Sequence, residues 1–242
     1  MLHIYQNPSA ITVALAEWIT YTIETVLQTQ DRFTWVLTGG NSPKALYDML
    51  AESPYKERIA WNKLHIFWGD ERAVPFSDDR NNAKMTFDHL LNKVPVNPEQ
   101  VHVMRTDIEP EQSALEYQKM LHTYFGMEGN SFDLVLSGMG DDGHTLSLFP
   151  GTEVIHETKD WVKAFYLTAQ QMYRITLTAP VVNRASSVVF LTFGANKAKA
   201  LYEVLEGEPN ADIYPSQIIQ PASGKLHWFV DEPAAALLDK KA

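Results

Sequence analysis

Short apolar runs rich in β-branched and aromatic residues recur at 33–37, 64–68, 132–136, 188–193 and 226–230, each bounded by glycine or polar residues. Runs of this length and composition predict strands buried on both faces. Between them, apolar residues return at helical spacing over 43–50, 82–91, 110–125 and 196–205. A first helix is expected from Asn7-Pro8-Ser9, with Asn as N-cap and Pro in the first turn, to about residue 28. Strands alternating with helices predict an α/β fold: an open, mainly parallel, Rossmann-like sheet with helices on both faces. The stretch Val94-Pro95-Val96-Asn97-Pro98 reads as a loop, because strand-like Val101-His102-Val103-Met104 comes directly after it. With no repeat, low-complexity tract or Gly/Ser-rich linker in view, residues 1–242 are expected to form one domain.

Composition changes this picture little. The 242 residues are 45% hydrophobic and 21% charged, the balance of an ordinary globular chain rather than a disordered one. Charge matters more: the formal net value is −10, with no block of Lys and Arg, so no nucleic-acid footprint is expected. An anionic ligand would need a local positive pocket. The chain has no cysteine, which removes disulfides, Cys-based metal sites and thiol catalysis by inventory and is compatible with a reducing compartment. Its first residues carry no basic segment leading into an apolar run, and no stretch reaches bilayer-spanning length. A cytoplasmic protein without membrane contact is the expectation.

Candidate chemistry lies in the loops that leave the strands. Four of them are glycine-led and polar: Thr38-Gly39-Gly40-Asn41-Ser42, Gly69-Asp70-Glu71-Arg72, the segment from Ser137-Gly138, and Gly194-Ala195-Asn196-Lys197. In an open parallel sheet the carboxyl ends of the strands share one edge, where ligands bind, so these loops are expected to meet there.

The first loop is open to two readings. It is either a plain strand-to-helix turn or an anion site, built from free amides at a helix start with Ser42 as cap and Pro43 in the first turn. It matches neither the Walker A pattern nor GxGxxG, so nucleotide binding is not supported. In the second loop Arg72 either forks onto a phosphate or joins a solvated ion pair with its acidic neighbours. The third, Gly138-Met139-Gly140-Asp141-Asp142-Gly143-His144, has glycines that let backbone approach a ligand and a histidine able to take and return a proton near neutral pH. Taken alone it is equally a turn carrying an exposed histidine. A metal held by Asp141, Asp142 and His144 is not expected, because the ligands are adjacent and no second cluster completes a shell. Arg174 and Lys197 add two cations at the same edge. Lysine at a helix start opposes the dipole, and either an anionic ligand or simple solvation accounts for it.

These segments resemble the 6-phosphogluconolactonase family. The resemblance rests on Thr38 to Pro43, Trp68-Gly69-Asp70-Glu71-Arg72-Ala73-Val74-Pro75, GMGDDGHTLSLFPG over 138–151, Arg174 to Thr178, Gly194 to Ala198 and Leu226 to Asp231. It covers about residue 8 to about residue 238. It implies a fold of the sugar-phosphate isomerase/deaminase type and hydrolysis of 6-phosphoglucono-δ-lactone to 6-phosphogluconate in the oxidative pentose phosphate pathway, with no metal or organic cofactor. By the same resemblance His144 activates water with Asp142 and Asp70 as supporting carboxylates. Gly39, Gly40, Asn41, Ser42, Arg72, Arg174 and Lys197 then anchor the phosphorylated lactone. Amides near 138–143, or Arg72, are candidates to stabilise the oxyanion. The expected assembly is a monomer or small homo-oligomer.

Three segments depart from the family pattern. Arg80 stands where serine is common, Asp141 where proline is common, and Tyr214-Pro215-Ser216 replaces Leu-Pro-Ala. Arg80 is left as either a phosphate contact or a surface charge. Two rivals remain: a glucosamine-6-phosphate deaminase, disfavoured by Thr145 to Gly151 after the histidine, and a non-catalytic sugar-phosphate sensor.

Overall fold

The computed structural model describes residues 1–127 and 129–239. Its frame is a seven-stranded, wholly parallel sheet. In chain order the strands of the molecule are β1 (Leu2–Tyr5), β2 (Phe33–Leu37), β3 (Leu64–Trp68), β4 (Asp70–Arg72), β5 (Val101–His102), β6 (Leu134–Gly138), β7 (Val162–Leu167), β8 (Met172–Leu177), β9 (Val188–Thr192) and β10 (Leu226–Asp231). The large sheet runs β1-β10-β9-β6-β2-β3-β5. All five strands expected from the apolar runs lie in it, as does the strand-like Val101-His102. The edge strand β1 was not foreseen, its apolar positions Leu2 and Ile4 being separated by a histidine.

Period-two alternation within buried strands explains why helices are needed on both faces. Val36, Phe67 and Val135 project into one apolar cluster, which receives Ala114, Tyr117 and Leu121 from the helix Pro110–Phe125. Trp35, Leu37, Ile66, Leu134 and Leu136 project into the other, which receives Ile11, Leu15, Ile19 and Ile23 from the helix Pro8–Val26. That four-residue spacing gives the long helix a single inward stripe. Each of its wholly buried Ile and Leu side chains contributes about 1.5–3 kcal/mol of transfer free energy. As expected, Asn7 caps this helix, accepting from the Ala10 N–H at 3.0 Å.

A second sheet was not foreseen. β4, β8 and β7 form an antiparallel, three-stranded layer in which Asp70 lies opposite Thr176, and Arg72 opposite Arg174. The segment Asp70-Glu71-Arg72, expected as a loop, is therefore a strand. Its charged residues carry no alternating apolar signal, and its pairing partner lies about a hundred residues away in sequence. Gly69 joins the two layers: its N–H donates to the Leu37 carbonyl at 3.1 Å, and its own carbonyl accepts from the Leu177 N–H at 2.8 Å.

Helix starts also differ in detail. The helix after the first glycine loop spans Lys44–Leu50 behind Pro43, with no side-chain cap, so Ser42 does not cap it. The pattern over 82–91 divides into Asn82–Thr86 and a π-type turn Phe87–Leu91. A 3-10 turn, Ala195–Lys197, precedes Ala198–Leu205, so Lys197 stands just before the α-helix. Among the described residues no helix is long and apolar enough to cross a membrane.

Candidate active site

An open cleft lies where the expected loops meet. Its wall includes Gly39, Gly40, Asn41 and Ser42 from the first loop, and Asp70 and Arg72 from β4. His144, Arg174 and Lys197 complete the set anticipated from sequence, while Asp142 lies behind His144 rather than in the wall.

The third loop seats an imidazole–carboxylate pair. His144 Nδ1 lies 2.6 Å from Asp142 Oδ1, and the same oxygen accepts the His144 backbone N–H at 3.1 Å. Because an ionised carboxylate only accepts, Nδ1 carries a proton, so in the neutral imidazole Nε2 is the atom with the lone pair. Partial burial pushes the Asp142 carboxyl up, but hydrogen bonds and charge from His144 outweigh it and hold the group below the ordinary carboxylate value. Asp142, not Asp70, is thus the residue that orients His144. Gly140 makes this possible: a Cβ there would overlap His144 Nδ1 and Asp142 Oδ1. The loop is braced from below by Thr145 Oγ1 donating to the Gly138 carbonyl at 2.9 Å, and from outside by Ser216, whose N–H and hydroxyl both donate to the Gly143 carbonyl at 3.0 and 2.8 Å. The divergent segment Tyr214-Pro215-Ser216 therefore supports the loop, through one backbone amide and one added hydroxyl.

Two amides expected from sequence to serve an oxyanion are already engaged. The Gly140 N–H donates to the His144 carbonyl at 2.8 Å, and the Gly143 N–H to the Gly140 carbonyl at 3.2 Å. That narrows the oxyanion donors to other groups on the wall, with Arg72 among them.

Asp70 has a different role. Buried in the wall, its Oδ2 accepts from the Ser147 hydroxyl at 2.7 Å and lies 3.9 Å from Arg174, while Oδ1 accepts from the Asn82 amide at 3.2 Å. It anchors the cation side of the cleft. Arg174 is only 2% exposed, and its Nε and one terminal nitrogen have no hydrogen-bond partner among the described residues. Burial lowers its pKa from the usual guanidinium value, partly offset by the Asp70 charge. Arg72 donates to the Arg80 carbonyl at 2.8 Å and stands directly opposite Arg174 across the β4–β8 ladder. Like charges so placed repel. An anion between them would offset that cost. Lys197 faces the same cleft without an ion-pair partner among the described residues. Arg80 does not: its guanidinium is bound to Asp78 at 2.6 Å on the surface, and only its carbonyl serves the site, through Arg72.

Sequence reasoning passed over Glu71, Asn82, Ser147 and Phe149. Asn82 packs against Gly39 so closely that a Cβ on Gly39 would overlap its amide, which explains the glycine better than loop flexibility does. Glu71, 1% exposed, accepts N–H groups from Arg72, Asn82 and Ala83 at 2.8, 2.7 and 2.9 Å, fixing the start of the helix Asn82–Thr86 against β4. The acidic pair Asp70-Glu71 was visible, but only the fold tells which carboxylate faces the cleft. Burial, opposed by those three N–H groups, raises the Glu71 carboxyl to about 7.

A folded-state pKa above the unfolded value means stability present below about pH 4.5 and lost as pH rises through about 7. Glu71→Gln cannot titrate. The melting temperature of the natural protein, measured against that of Glu71→Gln by calorimetry, is expected to decline by several degrees between about pH 5 and pH 8 (about 1 kcal/mol being worth some 2–4 °C at this size); a constant difference would contradict it.

Among the described residues no group of three or more His, Asp or Glu is arranged to hold a metal ion. The family model for glucosamine-6-phosphate isomerases/6-phosphogluconolactonase matches residues 6–228. A Nostoc sp. protein named 6-phosphogluconolactonase is 37% identical over 98% of each chain. The structure of 6-phosphogluconolactonase from Trypanosoma brucei superposes with a TM-score of 0.85 at 26% identity, covering 98% of both chains. A monomeric glucosamine-6-phosphate deaminase gives the same TM-score, 0.85, at 18% identity over 98% of this chain and 99% of that one, a likeness of fold alone.

Proposed function

This chain belongs to the glucosamine-6-phosphate isomerase/6-phosphogluconolactonase family, and on that premise we propose that its cleft hydrolyses 6-phosphoglucono-δ-lactone to 6-phosphogluconate. The observation that carries the reading is His144, hydrogen-bonded to Asp142, on a cleft wall shared with two cross-strand arginines. Nε2 of His144 takes a proton from water as its oxygen attacks the lactone carbonyl. The charge that develops on the carbonyl oxygen is stabilised by donors of the wall, Arg72 among them. Collapse breaks the bond to the ring oxygen, and His144 returns its proton to that leaving oxygen, so the imidazole ends as it began. Asp142 holds the tautomer that this cycle needs. No covalent intermediate is required, because water attacks directly.

Arg174, Arg72 and Lys197 supply the positive pocket that a chain of net charge −10 must provide locally for a phosphorylated substrate. Gly39 to Ser42 line the same wall. The names of the relatives support lactone over amino sugar as substrate. We extend the proposal to a cytoplasmic enzyme acting as a monomer or small homo-oligomer, which light scattering of the purified protein would test.

The deciding experiment measures acid release from freshly generated lactone, corrected for spontaneous opening, beside ammonia release from glucosamine 6-phosphate. Acceleration of the first alone supports the reading. Ammonia release, or binding without either reaction, overturns it. Lys197→Ala is expected to raise KM about ten-fold or more with kcat little changed, because the contact is common to ground and transition states. A loss confined to kcat would refute that role.

A further inference from the structure

We infer that Phe149 is a positioning residue for the acid–base step, fixing the plane of the His144 ring; the inference rests on the lactonase reading above. One hydrogen bond, from Nδ1 to Asp142, pins a single atom of the imidazole. It leaves the ring free to rock about that contact, and rocking moves Nε2, the atom that must meet a water and then a leaving oxygen. The second restraint comes from Phe149. Its ring lies against His144 with centroids 4.1 Å apart and planes 25° from parallel. Phe149 is itself 7% exposed and does not line the cleft, so its contact with the histidine is made within the protein.

The seat under Phe149 is rigid. The Thr152 hydroxyl donates to the Phe149 carbonyl at 2.6 Å, and the Thr152 N–H donates to the same oxygen at 3.2 Å. The preceding turn is closed by the Leu148 N–H donating to the Thr145 carbonyl at 2.8 Å. The Arg174 guanidinium carbon lies 5.4 Å from the centroid of the same ring. One aromatic side chain thus contacts both the proton-transferring group and the most deeply buried cation of the anion pocket. An aromatic face also attracts the imidazolium that exists midway through turnover, an interaction made only after His144 has taken its proton. Its contribution should therefore show in kcat rather than in KM.

The test pairs kinetics with a signal that does not depend on turnover. In the ligand-free protein, ring current from Phe149 should shift the carbon-bound ring protons of His144 upfield, and the affected resonances are assigned by their loss in His144→Gln. Phe149→Leu keeps the side chain apolar and removes the ring. It is expected to return those resonances toward ordinary histidine positions, to lower kcat about ten-fold and to leave KM within about three-fold. Phe149→Tyr keeps a ring and should restore both the shift and kcat, which separates positioning from simple filling of space and covers the case in which the Leu variant folds poorly.

Unchanged His144 resonances in a folded Phe149→Leu protein would overturn the inference. So would kcat within about two-fold of the natural enzyme, or equal losses in the Leu and Tyr variants. Absence of lactone hydrolysis in the natural protein would instead defeat the functional reading, while the ring-current signal would still report whether the stack exists.

Discussion

His144→Asn is expected to reduce lactone opening to within a few-fold of the spontaneous rate, a loss of at least about a hundred-fold in kcat, in the range removed with a general acid–base group. Asparagine neither takes a proton from water at neutral pH nor returns one to the ring oxygen. Because Arg72, Arg174 and Lys197, the cleft cations proposed to anchor the phosphate, are on other elements, 6-phosphogluconate should still bind to the variant with little change in affinity. Acid release monitored at constant pH gives the first quantity, and titration calorimetry the second. Full activity would remove His144 from the mechanism. Loss of binding alongside loss of rate would mean that the substitution disturbs the pocket and does more than remove the base.

Gly140→Ala is the second large effect, and it adds one methyl group without altering any charge. That methyl would occupy the space where Nδ1 of His144 meets Oδ1 of Asp142. Either the loop moves outward or the pair separates, and both misplace Nε2. A displacement of about 1 Å at a reacting group is enough to cost a hundred-fold, so kcat is expected to fall by about that factor. KM should stay within a few-fold, since the arginines are untouched. The melting temperature should fall as well, because Gly140 is buried and its loop neighbours Met139, Leu146 and Leu148 belong to a core cluster. Wild-type kcat in the alanine variant would show that the close approach of Gly140 to the pair is dispensable.

Whether an element was legible in the sequence depended on where its partners lie. The five inner strands of the large sheet are mostly apolar runs because both faces are covered, and that signal needs no knowledge of partners. β4 is the opposite case. Asp70, Glu71 and Arg72 form a strand only because β8 supplies the pairing and Ser147, Asn82 and two helix-start amides satisfy the carboxylates. None of those partners is adjacent in sequence. His144 could be singled out as a proton carrier, and Asp142 lies two residues away, so their meeting is local. The role of Asp70 was not local, and neither was that of Phe149, whose contact with His144 depends on the turn through Leu146, a residue held at φ 54°. Glycines were visible as glycines, but Gly39 and Gly140 serve by what stands beside them, which only the fold reveals.

The linkage at Gly69 carries a consequence for how this enzyme type diversifies. The acid–base loop grows from the end of a strand in the parallel sheet, whereas Arg72 and Arg174 ride together on the antiparallel layer, which is held by the two hydrogen bonds of Gly69, by Asn82 and Ala83 on Asp70 and Glu71, and by Ser147 on Asp70 and Thr176. Ser147, three residues from His144, bonds to that layer, and Phe149 lies against both the His144 ring and Arg174, so a tilt that carried the two guanidinium groups would also reach the imidazole. Grip on a ligand's charged end and the seat of the proton carrier are thus two ends of one lever, and a change of substrate length has to be answered at both.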